Sequence, residues 1–194
     1  MVIGSGAQKP TPKRAVATQL VYRSPWLTLR EDQVQHSDGS VASFAVASRA
    51  ESVVVVCELP SRLLVMTEQY RYACARWSVE LPQGGVMPGE SAQDAALREL
   101  REETGWIGAD PEVLAPRLFE AGDWATHGFI VVRVCPVRLG APSPESSELG
   151  SSTRYVPTGQ LGQLVADGLL CDAATLAALA LHHGLVAAEP ASGE

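Results

Sequence analysis

Hydrophobic and polar positions change period three times along the chain. From Ala15 they alternate in short runs, Ala17–Tyr22, Leu27–Gln35 and Val41–Ser48, with a Ser37-Asp38-Gly39 turn before the last, which predicts an antiparallel meander. Ser52–Leu59 carries four consecutive valines, the pattern of a strand buried on both faces, and Leu63–Gln69 and Trp77–Leu81 are further short apolar runs. Between Ser91 and Thr104 the period becomes helical. Ala96, Leu97, Leu100 and Thr104 share one side, Glu99, Glu102 and Glu103 another, and Ser91 with Asp94 supplies an N-terminal cap. Beyond this helix, Glu112–Phe119 reads as a weak strand and His127–Val137 as a strong one. Leu139–Ser152, rich in Gly, Pro, Ser and Glu, reads as a long loop, and Thr153–Val156 as a short strand. Thr158–Ala166 and Asp172–Leu185 read as helices, the second capped by Asp172. The expected organisation is a single domain over residues 15–186, with a meander (15–50) and a core (51–186), between disordered tails at 1–14 and 187–194. Its class is α/β, a mixed sheet with helices on its faces.

Composition narrows the partners. With 194 residues, 46% hydrophobic and 19% charged, the chain has the make-up of one soluble globular domain. A formal charge of −7 argues against a nonspecific nucleic-acid binder, which needs a Lys/Arg footprint, but not against a small phosphate ligand held by metal. Cys57, Cys74, Cys135 and Cys171 form no C-x-x-C pair and read as buried thiols in a reducing compartment. No run of 18 apolar residues and no leader-like apolar stretch is present, so a cytoplasmic protein without a membrane partner is expected.

The chemistry concentrates in Gly84–Trp106, GGVMPGESAQDAALRELREETGW. A loop of Gly84, Gly85, Pro88 and Gly89 runs straight into the acidic helix, so its backbone can approach a phosphate. Three carboxylates on one arc repel one another, and a hard divalent cation relieves this, because Mg²⁺ prefers oxygen ligands. The alternative is an amphipathic helix with a solvated acidic face. The spacing of Gly84, Glu90, Arg98-Glu99-Leu100, Glu102-Glu103 and Gly105 resembles the Nudix box, with Trp106 where that family usually has an aliphatic residue. The resemblance implies a Nudix α/β/α sandwich and a hydrolase of nucleoside diphosphates linked to another moiety.

Three flanking stretches, Gln69-Tyr70-Arg71, Glu80-Leu81-Pro82-Gln83-Gly84 and Asp167–Ala177, are similar to the ADP-ribose pyrophosphatase branch. That likeness implies Mg²⁺, or Mn²⁺, on Glu99 and Glu103, with Glu102 assisting and the Gln83 carbonyl as a further ligand. Glu102 and Glu103 would be catalytic, and Arg98 would pair with the acids and orient them, with Glu90 in an outer role. Trp26 and Phe44 would stack on the base; read without the resemblance they are core aromatics. Arg49 and Arg71 would hold phosphates or base, surface ion pairs being the alternative, and Glu80 and Gly85 would line the substrate. Glu148, ahead of Glu145, would deprotonate the attacking water. Ala121 stands where the branch commonly carries Pro, so Trp124 or His127 could shape a pocket for another sugar. The implied reaction takes ADP-ribose to AMP and ribose 5-phosphate, in a homodimer whose N-terminal strands reach the partner's site. Its rivals are hydrolysis of a GDP-sugar or dinucleoside polyphosphate, and a non-catalytic nucleotide-sugar sensor.

Overall fold

The computed structural model describes residues 13–119, 122, 124–142 and 150–184. They fall into two compact units, Met1–Arg49 with Ala121–Thr126, and Ala50–Glu120 with His127–Glu194.

The first unit is the expected meander. Strands β1 (Arg14–Arg23), β2 (Thr28–Gln35) and β3 (Val41–Ser48) form an antiparallel sheet in that order. Ser24 closes the first connection: its Oγ accepts from the Leu27 N–H at 3.0 Å. Gly39, at φ 84°, makes the second turn, where Asp38 Oδ1 accepts from the Ser40 N–H at 2.9 Å. All ten residues of β1 are exposed, so its apolar residues meet no core among the described residues. Arg14 already belongs to β1, and the remainder of the N-terminal stretch assigned to a tail, apart from Lys13, lies outside the described residues, as does 187–194.

The second unit begins with β4 (Ser52–Val56), whose valines are all fully buried. Its first sheet has the order β8 (Gln83–Gly85), β4, β10 (Gly128–Leu139), β9 (Trp106–Phe119), with β4 and β10 parallel and the other pairs antiparallel. The second joins β11 (Ser152–Pro157), β6 (Leu63–Arg71) and β5 (Glu58–Leu59), and β7 (Arg76–Glu80) pairs with β6. Period-two alternation then splits the core. Val53 and Val55 pack with Val65, Ala95, Ala96 and Leu100 under helix α1 (Ala92–Thr104). Val54 and Val56 pack with Leu64, Met66 and Val79 under helices α2 (Leu161–Ala166) and α3 (Ala173–His182). Each such valine contributes about 1.5–3 kcal/mol relative to exposure. Helices on both sides of the strands give the expected sandwich. No described helix is long and apolar enough to cross a membrane.

Several boundaries differ from the expectation. The run Ser52–Leu59 breaks at Cys57, whose carbonyl accepts from the Val65 N–H at 2.9 Å, so the chain leaves the first sheet for the second there. Strand β9 starts at Trp106 rather than Glu112, because β10 pairs with it as far as Leu139↔Trp106, and the register shifts absorb its polar residues. Residues Thr158–Gln160 form a 3₁₀ turn ahead of α2, and α3 ends at His182. Of the long loop, 143–149 lie outside the described residues. Only Cys57 is buried, its thiol pushed up to about 12 by burial; Cys74, Cys135 and Cys171 are exposed, against the expectation of four buried thiols.

Both caps of α1 come from its sequence. Ser91 Oγ accepts from the Asp94 N–H at 3.1 Å, and Gly105, at φ 77°, closes the end by donating to the Arg101 carbonyl at 2.9 Å. A side chain at Gly105 would also meet the Gly140 carbonyl at 2.7 Å.

Candidate active site

The carboxylates of α1 are not a solvated face. Glu99 and Glu103 are each only 6% exposed, and Glu102 is half-buried. The cover of Glu99 comes from the short strand β8: a Cβ on Gly84 would fall 2.1 Å from Glu99 Cδ, so the missing side chain makes the space the carboxylate fills. The amphipathic-helix alternative thus fails for two of the three acids.

Arg98 compensates this burial. Its Nε donates to Glu90 Oε1 at 2.8 Å, and Nη2 donates to Glu90 Oε2 at 2.9 Å and to the Gly85 carbonyl at 2.8 Å. Nη1 donates to Glu99 Oε1 at 2.6 Å and to Glu102 Oε2 at 3.1 Å. All five guanidinium N–H groups are engaged. Hydrogen bonds to Glu90 and then Glu99 push the Arg98 pKa further up. Glu90 is held below its ordinary range chiefly by Arg98, and it also accepts from the Met87 N–H at 2.9 Å. These bonds make Glu90, Glu99 and Glu102 common partners of Arg98.

A second ion pair lies on β6 and β7, where cross-strand register sets Arg71 on the same face as Glu80. Arg71 Nε donates to the two Glu80 oxygens at 3.0 and 3.1 Å, and its Nη2 also bonds Oε2. Gln83 Nε2 donates to the same oxygen at 2.6 Å. Burial, to 2% exposure, pushes the Glu80 carboxyl up, but the Arg71 fork more than reverses this and leaves it below its ordinary value. The Arg71 pKa is raised, first by Glu80 and further by the charges of Asp172 and Glu103, so this pair stands in the field of Glu103 on α1. The link to β8 is fixed from α3: the Leu81 N–H donates to Thr175 Oγ1 at 3.1 Å, and Asp172 Oδ2 caps the helix at the Thr175 N–H at 2.7 Å.

The structure therefore brings Arg71, Glu80, Gln83, Gly85, Arg98, Glu99, Glu102 and Glu103 into the second unit around β8 and α1. Gln83 and Gly85 sit on β8, the Gln83 side chain on Glu80 and the Gly85 carbonyl on Arg98. Arg71 and Glu80 are each other's partner rather than separate surface groups. Trp26, Phe44 and Arg49 belong to the first unit. Trp26 is 79% exposed in the β1–β2 connection, so it is not a core aromatic. Phe44 is half-buried on β3, with the His36 ring 6.5 Å away and Lys13 Nζ 5.1 Å from its centroid. Register places Phe44 opposite Asp32, four rows from the Thr28↔Ser48 end next to Trp26, so the ladder does not set the two rings side by side. Arg49 is exposed just after β3. Trp124 is 53% exposed, whereas His127, just before β10, is 5% exposed. Glu145, Glu148 and Ala121 lie outside the described residues.

The donor set suits a hard divalent cation: three carboxylates on consecutive turns of one helix, two of them shielded from water. As they stand, no three acidic, His or Cys side chains among the described residues are grouped to hold a metal. Arg98 Nη1 draws Glu99 and Glu102 toward itself. The parts played by three residues escape the sequence reading. Gly84 makes the acid pocket, Thr175 anchors the link to β8, and Tyr155 accepts from Trp106 Nε1 at 3.1 Å, tying the end of α1 to β11. The sequence marks Gly84 only as loop backbone at the head of the box and Thr175 only as part of the Asp167–Ala177 stretch.

A family model described as NUDIX domain matches residues 48–176, about two thirds of the chain. A second, described as nucleoside diphosphate sugar hydrolase N-terminal domain, matches residues 14–46. Putative nudix hydrolase 2 of Caenorhabditis elegans is 29% identical over 107 residues, which cover 50% of this chain and 48% of that protein. ADP-ribose pyrophosphatase of Bacillus subtilis (strain 168) is 26% identical over 98 residues, 50% of this chain and 53% of that one. The chain thus spans about half the length of these curated relatives. A solved structure, described as the crystal structure of ADP compounds hydrolase, shares the fold with a TM-score of 0.80 over 93% of this chain and 97% of that one, at 20% identity. A family match over most of the sequence, on a fold that sets the carboxylate helix against the glycine strand, makes this chain a member of the Nudix hydrolase family.

Proposed function

We propose that the chain hydrolyses the pyrophosphate bond of a nucleoside diphosphate sugar, ADP-ribose foremost, to AMP and ribose 5-phosphate. The observation that carries this reading is the pair of matches in one chain: a nucleoside diphosphate sugar hydrolase N-terminal domain directly before a NUDIX domain. The names ADP-ribose pyrophosphatase and ADP compounds hydrolase, borne by a relative and a structural neighbour, support the choice of base. Glu99 and Glu103, with Glu102 assisting and the Gln83 carbonyl alongside, would hold Mg²⁺, which Mn²⁺ could replace. Such a cation neutralises phosphate charge and acidifies a bound water. Arg71 is bound to Glu80 through Nε and Nη2, which leaves Nη1 for a phosphate oxygen. Glu148, in preference to Glu145, takes the water's proton. Trp26 and Phe44 offer ring faces worth about 1–3 kcal/mol each to a base.

The exposed apolar residues of β1, Val16, Leu20, Val21 and Tyr22, support a homodimer in which a second copy covers this sheet. Sedimentation as a monomer at micromolar concentration would count against it. The function is tested by incubating the protein with ADP-ribose, GDP-sugars and dinucleoside polyphosphates plus Mg²⁺ and identifying products by mass. Release of AMP and ribose 5-phosphate is expected. Preferential cleavage of another compound transfers the assignment to that substrate, and tight binding without cleavage makes the protein a sensor.

A further inference from the structure

We infer that Trp124 stacks on the nucleotide base, as a ring that the link between β9 and β10 lends to the meander beside Phe44. The inference deepens the reading above, that the ligand is a nucleoside diphosphate derivative, and rests on it.

The link joins the first unit through a short parallel bridge. The Ala47 N–H donates to the Trp124 carbonyl at 2.8 Å, the Thr126 N–H donates to the Ala47 carbonyl at 2.9 Å, and Ala125 pairs with Ala47, both of them buried. Ser48 Oγ and Thr126 Oγ1 share a hydrogen bond of 2.7 Å, so Thr126 stands on the Ser48 side of the sheet. Alternation then sets Trp124, two residues earlier, on that side too, alongside Val46 and one step from Phe44. A strand spacing of about 4.8 Å and two residues of rise at about 3.3 Å separate Trp124 from Phe44 by roughly 8 Å, room for a planar base between two rings. Across β3 the same face carries Arg30 and Asp32, opposite Val46 and Phe44, and Arg30 Nε donates to the two Asp32 oxygens at 2.9 and 3.2 Å. This fixed pair offers polar groups to the edge of a base whose faces the rings cover. Trp124 itself is 53% exposed on a backbone anchored by the bridge, and an anchored indole loses little freedom on stacking. The ring comes from outside residues 14–46, the stretch matched as the N-terminal domain.

Calorimetric titration of the full chain with AMP tests the stack. Trp124→Ala should bind AMP about ten-fold more weakly than wild type, and Trp124→Phe, which keeps a ring, within about three-fold of it. With ADP-ribose as substrate, Trp124→Ala should raise KM by a similar factor and leave kcat within about two-fold, the pattern of lost ground-state binding. In wild type the Trp124 indole N–H signal, assigned by its absence from the Trp124→Phe spectrum, should shift on adding AMP and stay in place on adding ribose 5-phosphate. AMP binding unchanged in Trp124→Ala, or an indole signal that AMP does not move or that ribose 5-phosphate moves equally, overturns the inference. An indole that only holds the link in place would lower the melting temperature of both variants without touching AMP affinity, and that result overturns it too. The underlying reading fails separately. Should wild type bind neither AMP nor any other nucleoside monophosphate, the ligand carries no base and both fall; should AMP bind wild type and Trp124→Ala alike, only the stacking falls.

Discussion

Gly84→Ala is the most direct test of how the site is built. The added Cβ would lie 2.1 Å from both Cδ and Oε1 of Glu99 and 2.4 Å from Oε2, well inside contact distance. Backbone conformation is not the obstacle, because Gly84 is absent from the positive-φ glycines. The nearest atoms are the end of a side chain, but this end is not free to swing: Glu99 is 6% exposed and bonded to Arg98 Nη1 at 2.6 Å. Either the carboxylate moves and gives up a charge-assisted hydrogen bond, or β8 shifts on β4, where Gly84 pairs with Val53. Both routes cost about 1–3 kcal/mol. In a protein of this size that lowers the melting temperature by roughly 2–12 °C. Turnover should suffer more, by about 10²-fold, since displacing a ligand group by an ångström degrades the reacting geometry. Gly85→Ala is the control for stability, because nothing lies within 4 Å of a Cβ there. Thermal melts of both variants and ADP-ribose turnover of Gly84→Ala against wild type decide the matter. If Gly84→Ala melts as Gly85→Ala does and turns over as wild type does, the idea that an absent side chain makes the acid pocket is wrong.

Glu103→Gln should abolish turnover yet leave the melting curve within about 1 kcal/mol of wild type; retained activity would remove Glu103 from the catalytic set. Glu80 makes a pH prediction. Its folded pKa lies below the ordinary 4.5, so its contribution to stability is complete above that value and fades as pH falls through the lower folded value. The stability gap between wild type and Glu80→Gln, about 1–3 kcal/mol at pH 7, should therefore close in acid, and a gap that widens on acidification would contradict this sign. Thr175→Val keeps the shape of a fully buried residue but orphans the Leu81 N–H, so urea unfolding should show a loss of about 1–3 kcal/mol, and no loss would mean that the bond at 3.1 Å does not anchor the link to β8.

How much of this was legible in the sequence depends on the distance over which each feature is determined. The α1 boundaries were readable because Ser91, Asp94 and Gly105 act within a turn of the helix they cap. The valines of β4 announced burial, and α1 and α3 cover its two faces. The break at Cys57 was not readable, because it depends on Val65 in another strand reaching the Cys57 carbonyl. The same limit separates the two halves of the site. Helical periodicity places three glutamates on one arc but carries no information about what covers that arc, and an acidic stripe is ordinarily solvated. Cover for Glu99 comes from a three-residue strand that local propensity hardly marks, held against β4 by Val53↔Gly84 pairing and preceded by Leu81, which Thr175 anchors. Likewise Arg71 and Glu80 are nine residues apart, and only the hairpin register sets the half-exposed arginine on the buried carboxylate. The local pattern therefore states which groups carry the chemistry. Long-range strand pairing decides that they are withdrawn from water, and withdrawal is what makes the charge of Arg98 count at Glu99 and Glu102.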